Sequence, residues 1–386
     1  MNRFDVQQNR IGTGSIKWDR CKSKFETDKD LIPLWIADTD FRAADEVIEA
    51  LHNRVEYGVF GYTFAMPDYL ESVANWYRNR HGLNVLTQWI VPTYGVVTAL
   101  RFTIQALTQP GDKVMLMTPA YEPFFAIISN TGRTLEELEL IYSNSTYTID
   151  FDAMERSLRD GVKLLLLCNP HNPVGRVWKK EELERVADLC AKYNVYLASD
   201  EIHGDVTLFG HKYVSMASFS QVHHLLAVYT SPGKGFSMTG SHTSNMIIPD
   251  EALRQRITGS LQEAWIMSPN LFGMVAAKAA YDHCEYWLDE EIAYLEENSR
   301  FVTKFLAEDL PDVRAAKHEA TYLMWLDCSK LGLSDDELAR RMVDTCRLGM
   351  GIGSHYGQQF GQFLRLNIGC TRATLEKAMK AFESIR

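Results

Sequence analysis

No apolar run in this 386-residue chain approaches the ~20 residues that a membrane-crossing helix needs, so no membrane partner is expected. The first residues, MNRFDVQQNR, are polar and lack the apolar stretch of a secretory leader. Basic residues form no stripe: 40 Lys and Arg stand against 50 Asp and Glu, a net charge of −10. That balance argues against nucleic acid as a partner. A small anionic substrate stays compatible, because one buried arginine can reverse the local field. The seven cysteines are odd in number and include no C-x-x-C pair. In LCNP, DLCAK and LDCSK they sit beside apolar residues, as small core side chains. A reducing, cytoplasmic setting follows as the expectation.

The length favours two lobes. Between them no low-complexity linker and no internal repeat is visible. Four stretches share one pattern: DKVMLMTPAY (112–121), VKLLLLCNPHN (162–172), NVYLASDEIH (194–203) and LLAVYTSPGK (225–234). Each is a continuous apolar run that ends in a polar or Gly/Pro-rich turn, as strands do when helices cover both sheet faces. KKEELERVADLCAKY (179–193) between two of them has Leu183, Val186, Ala187 and Cys190 at helical spacing. The pattern predicts an α/β fold with a mainly parallel sheet. After 285 it changes: a long charged amphipathic helix (285–310), two strand-like runs and a closing helix suggest a smaller α+β lobe. A large lobe over 49–284 and a small one from 1–48 with 285–386 are expected, since chain termini often lie close together.

In such a sheet ligands bind at the carboxyl ends of the strands. There the sequence places Tyr121, Asn172, Asp200, His203, Ser231 and Lys234. Taken singly, each has an ordinary reading. Lys234, in TSPGKGFSM (230–238), could be a solvated loop charge, Asp200 a turn carboxylate, Asn172 a turn residue before proline, and Tyr121 a core ring. Converging, they could instead hold a flat charged cofactor. A lysine in a partly dry crevice can have a depressed pKa and condense with an aldehyde. In PTYGVVTALRFTIQAL (92–107), Gly95 stands at the mouth of an apolar helix, a natural phosphate seat.

Together with LIPLWIADTDF (31–41), NPHNPVGR, SDEIHGD (199–205), EATYLMWLDCS and FLRLNIGC, these residues resemble the fold-type I pyridoxal-phosphate enzymes of the class I/II aminotransferase superfamily. Within it the chain is most similar to the cystathionine β-lyase/cysteine-S-conjugate β-lyase branch. The resemblance covers nearly the whole chain. It implies a seven-stranded sheet sandwiched by helices, pyridoxal 5′-phosphate as cofactor, and a homodimer with shared sites. It implies cleavage of L-cystathionine or another cysteine S-conjugate to a thiol, pyruvate and ammonia. Lys234 would be the cofactor-linked lysine and catalytic base. Asp200 would pair with the pyridine nitrogen, and Asn172 with the phenolic oxygen beside His203. Tyr121 would stack on the ring. Gly95, Val96 and Ser231 would bind the phosphate, with Tyr62 of GVFGYT reaching it from a second subunit. Arg365 would clamp the substrate carboxylate, with Ala37 bordering the substrate.

The chain departs from the family pattern at three positions. His203 stands where aminotransferases commonly carry Tyr, His242 where many carry a phosphate-binding Arg, and Thr39 where the branch usually has Met. GTGS (12–15) follows no strand and fails the dinucleotide context. Asp38 and Asp40 lack the further ligands of a metal site, and His203, His211, His223 and His224 lack zinc spacing, so no metal is expected. GMGIGSHYG (349–357) is expected as a mobile loop near the substrate. The competing readings are an aminotransferase on the same residues and a regulator-binding protein that uses the fold without catalysis.

Overall fold

Side chains that alternate along a strand reach opposite faces, so a run apolar at every position needs cover on both. In the computed structural model, which describes residues 2–266 and 269–386, Leu164 and Leu166 of the strand Val162–Cys168 pack into one apolar layer and Leu165 and Leu167 into the other. Helices Val96–Leu107, Glu122–Asn130 and Glu251–Glu263 form the first layer. Phe151–Arg159, Lys180–Tyr193 and Leu271–His283 lie in the second. Seven strands make the sheet, in the order Ile90–Thr93, Ser244–Ile247, Leu226–Thr230, Tyr196–Asp200, Val162–Cys168, Lys113–Thr118 and Thr134–Glu139. Ser244–Ile247 runs against both neighbours, and the remaining pairings are parallel. The fold is thus the α/β type expected, with a seven-stranded, mainly parallel sheet between helices.

Residues from both ends of the chain share a second sheet. Ile32–Leu34 pairs parallel with Leu348–Ile352, and Phe363–Asn367, Leu323–Asp327 and Arg314–Ala315 follow. The helix Glu285–Asp309 buries Trp287, Leu288, Leu295 and Val302 along one side. Position 48 falls inside the helix Asp45–Tyr57, which packs on Leu271–His283, while Cys284 separates two helices. One expectation needs correction: 349–357 is not a loop throughout. Its first residues belong to the strand Leu348–Ile352, paired on both sides, and a 3-10 turn over Gly353–Tyr356 follows. Among the described residues no helix is long and apolar enough to cross a membrane.

Candidate active site

The parallel strands deliver their chemistry to one edge. Asp200 is the last residue of its strand, and Asn169–Asn172, Tyr121 and Ser231–Lys234 follow the ends of three others. With Gly95 and Val96 at a helix mouth, Tyr121, Asn172, Asp200, Ser231 and Lys234 line a cavity of about 280 Å³ that also holds Ala37, His203 and His242. It shares Ala37, Tyr121, Lys234 and His242 with a larger space of about 760 Å³ that contains Arg365.

Lys234 can occupy this edge because the backbone beside it is crowded. A Cβ on Gly235 would stand 3.2 Å from Asp205 Cβ, tight enough that a neighbour would have to give by a few tenths of an ångström. Lys234 Nζ donates to the carbonyl of Ala37, which also accepts from Tyr322 Oη at 3.1 Å. Burial pushes the amine down to about 8, against the pull of Asp38 and Asp200. A substantial neutral fraction near physiological pH follows, as a nucleophile or base requires. Asp200 is 4% exposed. Burial pushes its carboxyl up to about 7, although the Ile202 N–H (3.1 Å) and Lys234 favour the charged form. A protonated ring nitrogen placed against it would supply the missing countercharge.

Arg365 is the second cation. It is 3% exposed, and no carboxylate pairs with it among the described residues. Its NH1 donates to Asn172 Oδ1 (3.1 Å), its NH2 to the Trp35 carbonyl (2.7 Å), and its Nε has no partner among the described residues. The Tyr356 ring lies 4.9 Å beneath the guanidinium carbon. A buried guanidinium without an anion is costly unless a ligand completes it. An α-carboxylate fits that fork.

The helix Val96–Leu107 opens into the cavity with no side-chain cap, so its first-turn N–H groups remain for an anion. Gly95 holds the turn at φ 110°, where a side chain would be strained. Two donors predicted for the phosphate are already engaged. Gly95 N donates to Ser244 Oγ (2.9 Å), and Ser231 Oγ donates to the Thr243 carbonyl (2.6 Å). Val96 N–H has no hydrogen-bond partner among the described residues, and His242, Thr239 and Thr243 border the same space. His203 is buried, its Nδ1 has no partner among the described residues, and burial, Lys234 and Arg365 all hold its imidazole neutral. Tyr121 borders both cavities. Tyr62 stands outside the site of its own chain, fully exposed at 105%.

Sequence reasoning missed two features. Cys168 lines the small cavity in register with Asp200, a thiol read only as core filling. Gln8, Arg10, Ile16, Lys24 and Phe25 wall the large one, and nothing in their spacing signals it. Asp38 and Asp40 are taken up by Arg10 and Lys17. Overall, a charged-nitrogen partner, an anion seat at a helix mouth, a flanking aromatic ring and a buried amine surround one small space. That donor set fits pyridoxal phosphate.

Comparison with known proteins points the same way. The chain is 40% identical to cystathionine beta-lyase PatB of Bacillus subtilis over 99% of both chains. It is 31% identical to protein MalY of Escherichia coli, covering 97% of this chain and 96% of that one. The crystal structure of cystalysin from Treponema denticola, which contains pyridoxal 5′-phosphate, superposes with a TM-score of 0.96 at 33% identity, over 100% of this chain and 98% of that one. The pattern for aminotransferase class I and II matches residues 29–382. With sheet order, strand-end residues and near full-length similarity in agreement, the chain belongs to the class I and II aminotransferase family.

Proposed function

We propose that the protein is a pyridoxal-phosphate-dependent carbon–sulfur β-lyase. It converts L-cystathionine or another cysteine S-conjugate, with water, to a thiol, pyruvate and ammonia. The observation that carries this reading is the pair Lys234 and Arg365. A half-buried base and a buried carboxylate receptor rest on the carbonyls of Ala37 and Trp35, beside a cavity far larger than an amino-acid head requires. The name of the PatB relative, a cystathionine beta-lyase, supports the carbon–sulfur chemistry over transamination.

When bound, pyridoxal phosphate supplies the electron sink that lets the substrate Cα–H bond ionise. Asp200 would hold the proton on the ring nitrogen, and Asn172 and His203 would face the phenolic oxygen. Tyr121 would cover the ring, and the helix mouth at Val96 would take the phosphate. Arg365 fixes the substrate by its carboxylate and so orients Cα toward the lysine. Lys234 Nζ, neutral, takes the Cα proton. The Cβ–S bond then breaks, and sulfur leaves with the bonding pair. A panel of S-substituted cysteines, with pyruvate and keto-acid products assayed separately, tests the reading. Pyruvate in step with thiol is expected; a keto acid that retains the sulfur would make the protein an aminotransferase.

The same reading assigns 49–284 to the cofactor lobe and 1–48 with 285–386 to a smaller lobe. It also makes the active unit a homodimer. Val59, Phe60, Tyr62, Phe64 and Met66 are all exposed in one short stretch, an apolar surface that a second subunit would cover. Tyr62 would then serve the neighbour's phosphate seat. Mixing Lys234→Ala chains with Tyr62→Ala chains should restore activity, because one of the two hybrid sites carries neither defect. Demonstrated subunit exchange without recovery would place Tyr62 in its own subunit's service or in none.

A further inference from the structure

The wall of the large cavity is held by charges that the reaction itself does not use. Asp40 is 2% exposed and accepts three side-chain donors: Lys17 Nζ at 2.8 Å, Arg10 NH1 at 2.9 Å and Trp18 Nε1 at 2.9 Å. Lys17 is wholly buried and also bonds the Asp38 carbonyl at 3.2 Å. Arg10 grips Asp38 with both terminal nitrogens, at 3.1 and 2.9 Å, and the Thr39 carbonyl at 3.1 Å. Two cations and two carboxylates balance, so the cluster carries no free charge toward a substrate.

Its place matters more than its charge. The donors come from 10–18, and the acceptors end the stretch that runs from Trp35 to Asp40. Trp35 Nε1 donates to the Lys17 carbonyl at 3.1 Å, so the same contact orients a cavity-lining ring. The Trp35 and Ala37 carbonyls hold Arg365 and Lys234. Asn367 Nδ2 ties the Ile36 and Asp38 carbonyls at 2.7 Å each, and Thr39 Oγ1 reaches Ser237 on the lysine loop at 2.8 Å. The 10–25 segment, which supplies Ile16, Lys24 and Phe25 to the large cavity, has two four-residue helices and no strand of its own. Apolar packing alone would let so short a segment slide, whereas a buried ion pair fixes a register.

We infer that Asp40 and Lys17 are positioning residues that fasten the 10–25 segment as the wall of the substrate-tail pocket, so that they determine how a long cysteine S-substituent is held. The inference rests on the lyase reading only for the identity of the substrate. Loss of the fastening should cost long tails and spare short ones, because the amino-acid head is held by Arg365. A general loss of stability has no means of sorting substrates by tail length.

The test uses the holoenzyme and replaces both charges, Lys17→Met with Asp40→Leu, since leaving one buried charge unpaired invites unfolding. KM is measured for S-methyl-L-cysteine and S-benzyl-L-cysteine. In parallel, the absorbance of the bound cofactor is followed during titration with L-alanine and L-homophenylalanine, which bear no leaving group on Cβ. We expect about tenfold weaker handling of the benzyl and homophenylalanine tails, under about threefold for the short ones, and an unchanged cofactor spectrum before titration. Trp18→Phe removes one donor and leaves both charges paired, and is expected to give about threefold in the same sense. Equal losses for long and short tails, or none in either variant, would overturn the inference. Discrimination in the titrations without pyruvate from any thioether would instead overturn the lyase reading and leave this one standing.

Discussion

Lys234→Ala is expected to lower pyruvate release by at least about 10³-fold while the protein stays folded, because the variant loses the proton acceptor at Cα as well as the amine that anchors the cofactor. The fold has no stake in this side chain. Among the described residues its one hydrogen bond is to the Ala37 carbonyl, which keeps Tyr322 Oη at 3.1 Å as a partner. Burial disfavours its charged form, pushing the amine down to about 8. A lysine whose folded value lies below its unfolded value costs stability at pH below about 8, and that cost fades as pH rises toward the unfolded value of 10.5. Cofactor-free Lys234→Ala should therefore melt no lower than the parent at pH 7, and its advantage should shrink by pH 10. Thermal melts at the two pH values, beside a pyruvate assay, check both halves. Near-parental turnover in the variant would remove Lys234 from the chemistry altogether.

Four of the seven strands were legible because they are largely apolar runs that end in polar turns; Thr134–Glu139, TLEELE at the sheet edge, carries no such pattern. Parallel strands with covered faces leave that pattern and few others do. Tyr121, Asn172, Asp200 and Lys234 follow from it, since topology alone brings strand ends together. What stayed hidden involves contacts between segments with no shared pattern. Nothing in the sequence sets Lys17 apart, yet it is fully buried on Asp40. The stretch 349–357, with its four glycines, reads as a loop; a strand forms over Leu348–Ile352 because Ile32–Leu34 and Phe363–Asn367 supply partners on both sides. The phosphate donors were only partly readable, because whether an N–H is free depends on neighbours such as Ser244 and Thr243 from a distant strand.

Asp200→Asn should act in opposite directions on catalysis and stability. Asparagine cannot hold the ring nitrogen's proton by charge, so the electron sink weakens. One charge-assisted hydrogen bond is worth ~1.5–3 kcal/mol, which bounds the loss of cofactor affinity at about 10- to 150-fold. The fall in kcat at saturating cofactor should come on top of that, by about 10²-fold or more. In the cofactor-free protein the sign reverses. The Asp200 carboxyl is pushed up from 3.8 to about 7 because burial disfavours its charge. A carboxyl raised on folding leaves the protein most stable below the unfolded value, and that stability is lost as pH rises through the folded one. The span is on the order of 4 kcal/mol. Asparagine never ionises, so the variant should match the parent near pH 4 and melt several degrees higher at pH 8. Titrating cofactor into both proteins should then cancel the parent's deficit, because the ring nitrogen's proton compensates the carboxylate. A variant with normal kcat and only weaker cofactor binding would make Asp200 a tether, and one that melts lower than the parent at pH 8 would mean that the carboxylate is already satisfied within the protein.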